Sequence, residues 1–507
     1  MSPFRILLFI AITAACLGSV MRFFPEEGFS ISPDISLKFP SWHKFWSTAK
    51  EATYTPLPDF VLEADESSVE FLEEENESGA NTSEAKKANE ALLALSDTGT
   101  LKMDSILLAK KIAHPLEFSE CEPRALYDFF ASLDAARQGQ GIHVTHFGDS
   151  QLEGDRMSGY FRDRLQNQFG GSGPGLVSLI PAYNQSSVKQ TVTGNWKRYT
   201  LFGKNEQEPS HKRFGVMSTF SRFTPLELDS TRTQPYTASC QFNTRKGMYK
   251  SARPFDHLTL FYGPTEKPCV IKVIEGTDTL DIDTLKGTKA LNKYTLKLSR
   301  AEHDITIHFE SLHGPDIYGI NLDTPEGVTV DNVAMRGSSG TLYTRTDFEV
   351  LSGMLKDMNS TLAIMQFGGN NVPYLKDTAE CVQYGRYFAR QLMIVKKAKP
   401  GIGIIVIGPS DMSYKNGDTY KTYPFLPVLV NEMRKATHEA GFVYWDMYAA
   451  MGGAQSMPTW VAADPPLAVK DYIHFSPRGA RIVAELFYNA LYDSYQKYRA
   501  SQKKERL

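Results

Sequence analysis

Apolar residues fall at helical spacing between residues 124 and 136 and again between 157 and 169, which predicts two amphipathic helices. A short run rich in β-branched and aromatic residues, 142–147, lies between them and ends at Gly148-Asp149-Ser150. The order strand, tight turn, helix is typical of an α/β domain.

The apolar period changes to two between about 195 and 325. Short apolar or alternating runs lie at 258–262, 270–274, 294–298 and 305–309, separated by turn sequences and without helical patterns between them. Several short strands in this arrangement predict an antiparallel β-sandwich or jelly roll.

Strand and helix patterns alternate again from 326 to 499. The sequence predicts strands over 328–335, 362–367, 402–407 and 442–445, helices over 380–397 and 426–440, and a last helix with Ser476 as its N-cap. Such alternation implies a mostly parallel sheet with helices on both faces. We therefore predict an α/β fold, three-layer α/β/α, whose two parts (106–194 and 326–499) are interrupted by an inserted antiparallel domain (195–325).

The first 24 residues have the pattern of an export segment. An uncharged run of sixteen residues, 6–21, lies between Arg5 and Arg22. This length is short for a membrane span and suits the core of a signal peptide. We interpret 1–24 as a signal peptide or a membrane anchor and leave cleavage open, so we expect an exported protein of the periplasm or cell envelope.

Residues 25–105 have low hydrophobicity and high charge. Eleven acidic and two basic residues lie between 59 and 90, a local charge of −9. A segment of this kind cannot bury enough apolar surface to offset its ordering entropy, so we predict a disordered acidic tether. An acidic tail that binds a partner is the alternative.

Composition changes the picture in two ways. With 42% hydrophobic and 12% aromatic residues among 507, the chain can bury a large core. Its net charge of −3 becomes about +6 outside the acidic segment, with a basic C-terminal tail at 500–507. This is too small a basic field for nucleic acid to be an expected partner.

Five cysteines, none in a C-x-x-C pair, argue against a zinc ribbon or a thioredoxin-like site. Cys240 and Cys269 flank part of the strand-rich region and would bridge if the compartment oxidises thiols, an alternative that the sequence leaves open. Cys121 and Cys381 lie in helical patterns and are expected to be buried thiols.

Four polar groups lie at predicted strand ends or before the last helix. They are Gly148-Asp149-Ser150, Gly337-Ser338-Ser339-Gly340, Gly368-Gly369-Asn370-Asn371 and Asp471-Tyr472-Ile473-His474. Because chemistry in such sheets gathers at the carboxyl ends of the strands, we expect the groups to converge.

The convergent groups contain the parts of an acyl-transfer site. A serine hydroxyl needs a base, and that base needs an orienting carboxylate; Ser150, His474 and Asp471 supply these roles. The backbone N–H of Ser150, together with Gly340 and Asn370, would stabilise an oxyanion. Asp471 and His474 lack a third ligand at metal-binding spacing, so neither a metal nor a cofactor is expected.

In this order the four groups resemble the sequence blocks of the SGNH (GDSL-type) hydrolases. The resemblance implies Ser150 as nucleophile, His474 as base, Asp471 as its partner, and Gly340 and Asn370 as oxyanion-hole donors, with Gly337 as the alternative glycine. Two departures are visible: Asn371 stands where the family usually has Asp, and Gln151 follows the serine in place of Leu or His. The second departure is expected to affect the mechanism little.

A narrower resemblance concerns the runs 148–155 and 169–175, which are similar to exported bacterial SGNH enzymes that remove O-acetyl groups from peptidoglycan. It implies a serine esterase acting on O-acyl esters of a carbohydrate, with O-acetyl as the expected ester and peptidoglycan as one candidate carbohydrate. An O-acetyltransferase with the same triad and a non-catalytic glycan-binding envelope protein are the alternatives. The acyl group, the glycan and the oligomeric state stay open.

Overall fold

The computed structural model describes residues 114–505, the backbone of a hairpin formed by β1 (Phe29–Ser32) and β2 (Ile35–Leu37), and helical positions Thr13 and Ser19. The chain divides into two compact units, Met1–Tyr54 and Thr55–Leu507. The predicted signal or anchor and most of the predicted tether therefore lie outside the described residues. The β1–β2 hairpin lies within the segment predicted to be disordered.

The second unit contains strands β3 to β20 and helices α1 to α8. In chain order the strands are β3 (Gly141–Gly148), β4 (Gly175–Val177), β5 (Lys189–Thr193), β6 (Lys197–Thr200), β7 (Thr219–Arg222), β8 (Tyr236–Asn243), β9 (Pro254–Tyr262), β10 (Cys269–Glu275), β11 (Asp278–Leu285), β12 (Asn292–Glu302), β13 (Asp304–Ser311), β14 (Ile317–Asp323), β15 (Gly327–Ala334), β16 (Ser360–Gln366), β17 (Gly403–Ile407), β18 (Ser413–Asn416), β19 (Thr419–Thr422) and β20 (Val443–Trp445). The helices are α1 (Tyr127–Ala136), α2 (Ser158–Phe169), α3 (Phe348–Asp357), α4 (Thr378–Ala398), α5 (Leu426–Glu439), α6 (Met447–Ala450), α7 (Ser456–Ala462) and α8 (Pro477–Glu505).

The predicted parallel sheet is present, with five strands in the order β15-β3-β16-β17-β20. Gly148 at the end of β3 pairs with Ala334 of β15 and with Gln366 of β16, so three strands end at the same level. The loops that carry three of the four polar groups begin at this edge.

Alternate residues of each parallel strand enter two hydrophobic clusters. Residues such as Val144 and Ile364 share one cluster with α1, α2 and α8. Their neighbours, such as Phe147 and Met365, share the other with α3, α4 and α5. Burial on both faces explains why β16 and β17 are nearly continuous apolar runs, whereas β3 and β15 also carry buried polar side chains.

The helix ends follow local side-chain chemistry. The long helix α8 begins with Pro477, and the predicted cap Ser476 accepts a hydrogen bond at its Oγ from Gly479 N at 3.1 Å. Asp377 caps α4 by accepting from Glu380 N at 2.9 Å. Residues 500–505 of the predicted basic C-terminal tail continue α8.

Two antiparallel sheets accompany the parallel one. Their strand orders are β11-β10-β13-β8-β5 and β12-β9-β14-β7-β6, and β4 pairs with β14. Residues from both sheets, such as Ile271 and Leu260, share a third hydrophobic cluster. The antiparallel pairing starts earlier than the predicted boundary at 195, because β4 and β5 precede it. Both strands are short, and β5 is largely exposed, which explains why no period-two pattern marks them.

For the cysteines, the structure decides one alternative that the sequence left open and departs from one expectation. Cys240 and Cys269 are buried free thiols, and β13 lies between their strands β8 and β10, so the structure has no disulfide there. Cys381 is buried as predicted, but Cys121 is exposed because it lies in a turn ahead of α1 and not in a helix.

Candidate active site

Ser150 is the first residue of a short 3₁₀ turn, Ser150–Asp155, that follows β3 directly. Asp149 caps this turn by accepting a hydrogen bond from Gln151 N at 3.0 Å. Gly148 is required for the close approach, because a Cβ there would lie 2.6 Å from Leu152 Cδ1. The strand end and the turn together present the Ser150 side chain at the edge of the parallel sheet.

The structure brings Ser150, His474 and Asp471 into a continuous hydrogen-bonded chain. Ser150 Oγ lies 2.8 Å from His474 Nε2, and His474 Nδ1 lies 2.7 Å from Asp471 Oδ2. A carboxylate can only accept, so Nδ1 carries the proton and Nε2 is left to accept from the serine hydroxyl. This is the tautomer in which an imidazole can remove the serine proton.

Asp471 is held by the backbone of its own loop. Its Oδ1 accepts hydrogen bonds from Ile473 N at 2.9 Å and from His474 N at 3.0 Å. Partial burial would raise the pKa of Asp471, but the hydrogen bonds from His474 and Ile473 outweigh it and hold the pKa below its usual value. Asp471 is therefore ionised at neutral pH and can stabilise a protonated imidazole.

Ser150 and His474 open into a cavity of about 350 Å³. Gly337 and Asn370, from two of the other polar groups, also line it. Gly340 lies against Phe367 and Phe388 instead, and its N–H donates to Ser338 Oγ at 3.2 Å. Of the two candidate glycines, the structure therefore brings Gly337 to the cavity.

Asn370 connects two of the loops below the cavity. Its Nδ2 donates to Asp149 Oδ2 at 3.2 Å and to Ser338 O at 3.1 Å. Burial raises the pKa of Asp149 to about 6, although the hydrogen bonds from Gln151 and Asn370 and the nearby His474 act in the opposite direction. Of the two carboxyl groups near the serine, Asp149 thus has a raised pKa and Asp471 a lowered one.

Two side chains to which the sequence analysis gave no role in the site, Gln151 and Arg156, join the serine turn to the histidine loop. The Gln151 amide donates from Nε2 to Ile473 O at 2.8 Å. Arg156 donates from Nη2 to Ser150 O at 2.8 Å and from Nη1 to Phe475 O at 2.9 Å. Gln151 was expected to affect the mechanism little; the structure shows that its side chain lies between the two loops, and its effect on the mechanism stays a matter for experiment. A polar residue in a usually apolar or basic family position was the only signal in the sequence.

No metal-binding arrangement was found in the part of the chain that the structure describes, where no three His, Cys, Asp or Glu side chains lie together as a ligand set. Within the same residues, no helix is long and apolar enough to cross a bilayer.

The fold resembles solved structures at low sequence identity. No family model and no curated protein sequence matches the chain. A structure titled as a peptidoglycan O-acetylesterase in action has a TM-score of 0.55 and 21% identity, over 73% of this chain and 96% of its own. Family two carbohydrate esterases from Clostridium thermocellum and Cellvibrio japonicus each have a TM-score of 0.23 and 10% identity, over 52% and 61% of this chain and 94% and 99% of their own.

The first of these structures covers most of both chains, and its likeness concerns the fold. The protein therefore has an SGNH hydrolase-like fold with additional antiparallel sheets.

Proposed function

We propose that this protein is a serine esterase that hydrolyses O-acyl esters, with O-acetyl groups on a carbohydrate as the substrate. The observation that carries the proposal is the chain Ser150 Oγ, His474 Nε2, His474 Nδ1, Asp471 Oδ2, with contacts of 2.8 and 2.7 Å, opening into a cavity. A histidine with only a structural role would not need both an ionised carboxylate on one ring nitrogen and a serine hydroxyl facing a cavity on the other.

In the proposed mechanism Ser150 Oγ attacks the ester carbonyl carbon while its proton passes to His474 Nε2. The tetrahedral intermediate collapses, the sugar oxygen leaves with the proton from His474, and the acyl group stays on Ser150. Water then attacks the acyl-enzyme, again giving its proton to His474, and the carboxylic acid is released as Ser150 regains its proton.

The oxyanion would be stabilised by the N–H groups of Ser150 and Gly337 and by the Asn370 amide. We favour Gly337 over Gly340 because Gly337 lines the cavity, whereas the N–H of Gly340 donates to Ser338 Oγ. The Asn370 amide would exchange one of its present acceptors, Asp149 or Ser338, for the oxyanion.

The substrate class is supported by the resembling structures, which are titled as peptidoglycan and carbohydrate esterases. We propose O-acetylated peptidoglycan as the carbohydrate, reached by export through residues 1–24 to the periplasm or cell envelope. In this proposal the catalytic part is a three-layer α/β/α domain, and the two antiparallel sheets form a β-sandwich or jelly roll beside it.

The first prediction concerns the nucleophile. Ser150→Ala is expected to lower the rate of p-nitrophenyl acetate hydrolysis by about 10³-fold or more, because no other group in the mechanism forms the acyl-enzyme. Ser132→Ala, which removes a hydroxyl that donates to Phe129 O in α1, is the matched control and should keep full activity.

Two further outcomes test the same proposal. A fluorophosphonate should label the protein at Ser150 and should not label the alanine variant. Acetylated peptidoglycan, with acetylated xylan for comparison, should yield free acetate; transfer of the acetyl group to an added oligosaccharide would contradict hydrolysis. Unchanged activity of Ser150→Ala would show that the nucleophile assignment is wrong.

A further inference from the structure

A second, larger cavity adjoins the one that contains Ser150. It has a volume of about 880 Å³, and Tyr374 lines both cavities. Tyr374 ends the 3₁₀ turn Gly369–Tyr374, which also carries Asn370 and so runs from the candidate oxyanion donor to the second cavity. The two cavities therefore meet at one side chain, Tyr374.

The second cavity has exposed aromatic rings in its wall. Tyr374 is 76% exposed and Tyr387 of α4 is 39% exposed. Exposure of large aromatic rings to water is unfavourable, so a group of exposed rings is typical of a binding surface. There a tyrosine ring can stack on the flat face of a ligand while its hydroxyl stays in water. A sugar ring has such an apolar face bordered by hydroxyl groups.

Two arginines on the same helix give the cavity its positive charge. Gln383, Arg386, Tyr387 and Arg390 lie three, four and seven residues along α4, so they share one face about 10 Å long. Arg386 and Arg390 are exposed, and neither makes an ion pair with any residue that the structure describes. Unpaired guanidinium groups at this spacing can bind the carboxylate groups of a ligand.

The acidic residue in the cavity wall is already engaged. Glu380 Oε2 accepts a hydrogen bond from Lys376 N at 2.9 Å in the first turn of α4. Asn371, which stands where the family usually has a carboxylate, also lines this cavity. The wall thus contains two arginines against one carboxylate, where an Asp at 371 would have balanced the charge.

We propose that this face, Tyr374 with Gln383, Arg386, Tyr387 and Arg390, is a substrate subsite that binds a glycan chain carrying carboxylate groups next to the ester that enters the catalytic cavity. Tyr374 and Tyr387 stack on sugar rings, and the two arginines bind carboxylates. This inference rests on the proposed esterase function and narrows its substrate to acylated anionic glycans.

The test compares two polymers and a small ester. The double variant Arg386→Gln/Arg390→Gln is assayed on O-acetylated peptidoglycan, on neutral acetylated glucomannan and on p-nitrophenyl acetate. The ratio of kcat/KM on peptidoglycan to that on the small ester should fall at least tenfold, mainly through KM, and the loss should shrink at high salt. The same ratio for glucomannan should change less than twofold.

Lys397→Gln/Lys435→Gln is the matched control, because it removes the same charge from exposed positions of α4 and α5 outside the cavity. Tyr374→Ala should lower activity on both polymers, and Tyr374→Phe should restore it if the ring stacks on sugar. An unchanged peptidoglycan ratio in the arginine variant, in a protein whose small-ester activity depends on Ser150, would overturn the subsite alone. If instead the activity on p-nitrophenyl acetate does not depend on Ser150, the esterase function itself is overturned.

Discussion

Asp149 and Asp471 are two carboxyl groups near the same histidine, and their surroundings move their pKa values in opposite directions. Burial raises the pKa of Asp149 to about 6, whereas hydrogen bonds to its carboxylate hold that of Asp471 below its usual value in spite of partial burial. Environments that separate two carboxyl groups in this way are typical of sites with acid–base roles. Asp471 is the one that can pair with an imidazolium at neutral pH.

Gln151 makes contacts that the sequence did not indicate. Besides donating to Ile473 O at 2.8 Å, it accepts at Oε1 from Phe475 N at 3.4 Å. The residue is therefore a positioning residue for the loop that carries His474. Only the tertiary fold reveals this, because the bonded groups lie more than 320 residues apart in the chain.

The second prediction follows from that position. Gln151→Leu should lower kcat on p-nitrophenyl acetate about tenfold with little change in KM, because a misplaced imidazole impairs proton transfer rather than binding. The matched control is Gln190→Leu, which removes an amide that donates to Ser178 O at 2.6 Å outside the site. Equal losses in both variants, or a rise in KM alone, would argue against a positioning role.

At the scale of elements, the sequence predicted the parallel strands closely. The pattern over 328–335 is observed as β15, 327–334, and the pattern over 362–367 as β16, 360–366. Both strands are rich in β-branched or other apolar residues and are bounded by turn residues, which is a clear strand signal in a single sequence. The short strands β4 and β5 have no such signal and are fixed by their pairing with β14 and β8.

The loop after β15 is an element whose two glycines are not equivalent. A Cβ on Gly340 would lie 2.6 Å from Phe367 and 2.9 Å from Phe388, and its φ is +69°. Gly337 has a φ of +75°, but a Cβ there would meet nothing within 4 Å. Gly340 is therefore needed for packing against the core, and Gly337 mainly for its backbone conformation.

The third prediction compares these glycines. Gly340→Ala should lower the free energy of unfolding by at least about 2 kcal/mol, since overpacking adds to backbone strain. Gly337→Ala should cost only about 1 kcal/mol, from the positive φ alone. Urea denaturation of both variants checks the order, and a Gly337 variant as unstable as the Gly340 variant would contradict it.

At the scale of the whole molecule, a buried charge cluster connects the parallel and antiparallel sheets. His143 of β3 lies 3.0 Å from Asp331 of β15 through Nδ1 and 3.0 Å from Asp323 of β14 through Nε2. Asp331 also accepts from Leu176 N of β4 at 2.9 Å. Burial would lower the pKa of His143, but the two carboxylates outweigh it and raise the pKa to about 10.

The fourth prediction is a pH dependence of stability. Because the pKa of His143 is raised from 6.5 to about 10 on folding, its stabilisation is complete below pH 6.5 and is lost as the pH rises through 10. His143→Gln should lower the free energy of unfolding by about 3 kcal/mol at pH 6, and the difference from the unmodified protein should shrink toward pH 10.

The control for this prediction is His308→Gln, which replaces an exposed histidine of β13. Its unfolding free energy should follow that of the unmodified protein at every pH. If the difference in unfolding free energy between His143→Gln and the unmodified protein stays constant from pH 6 to pH 10, the prediction of a charged His143 is wrong.

The sequence by itself determined the parallel strands, the helices α1, α2, α4, α5 and α8, and four polar blocks at strand ends or before the last helix, because periodicity and turn chemistry are local properties of the chain. The tertiary structure decided which groups meet. It placed Gly337 rather than Gly340 at the cavity, kept Cys240 and Cys269 apart, and made Gln151 a link to the histidine loop. These outcomes depend on contacts between residues distant in the chain, which packing selects and no local pattern encodes.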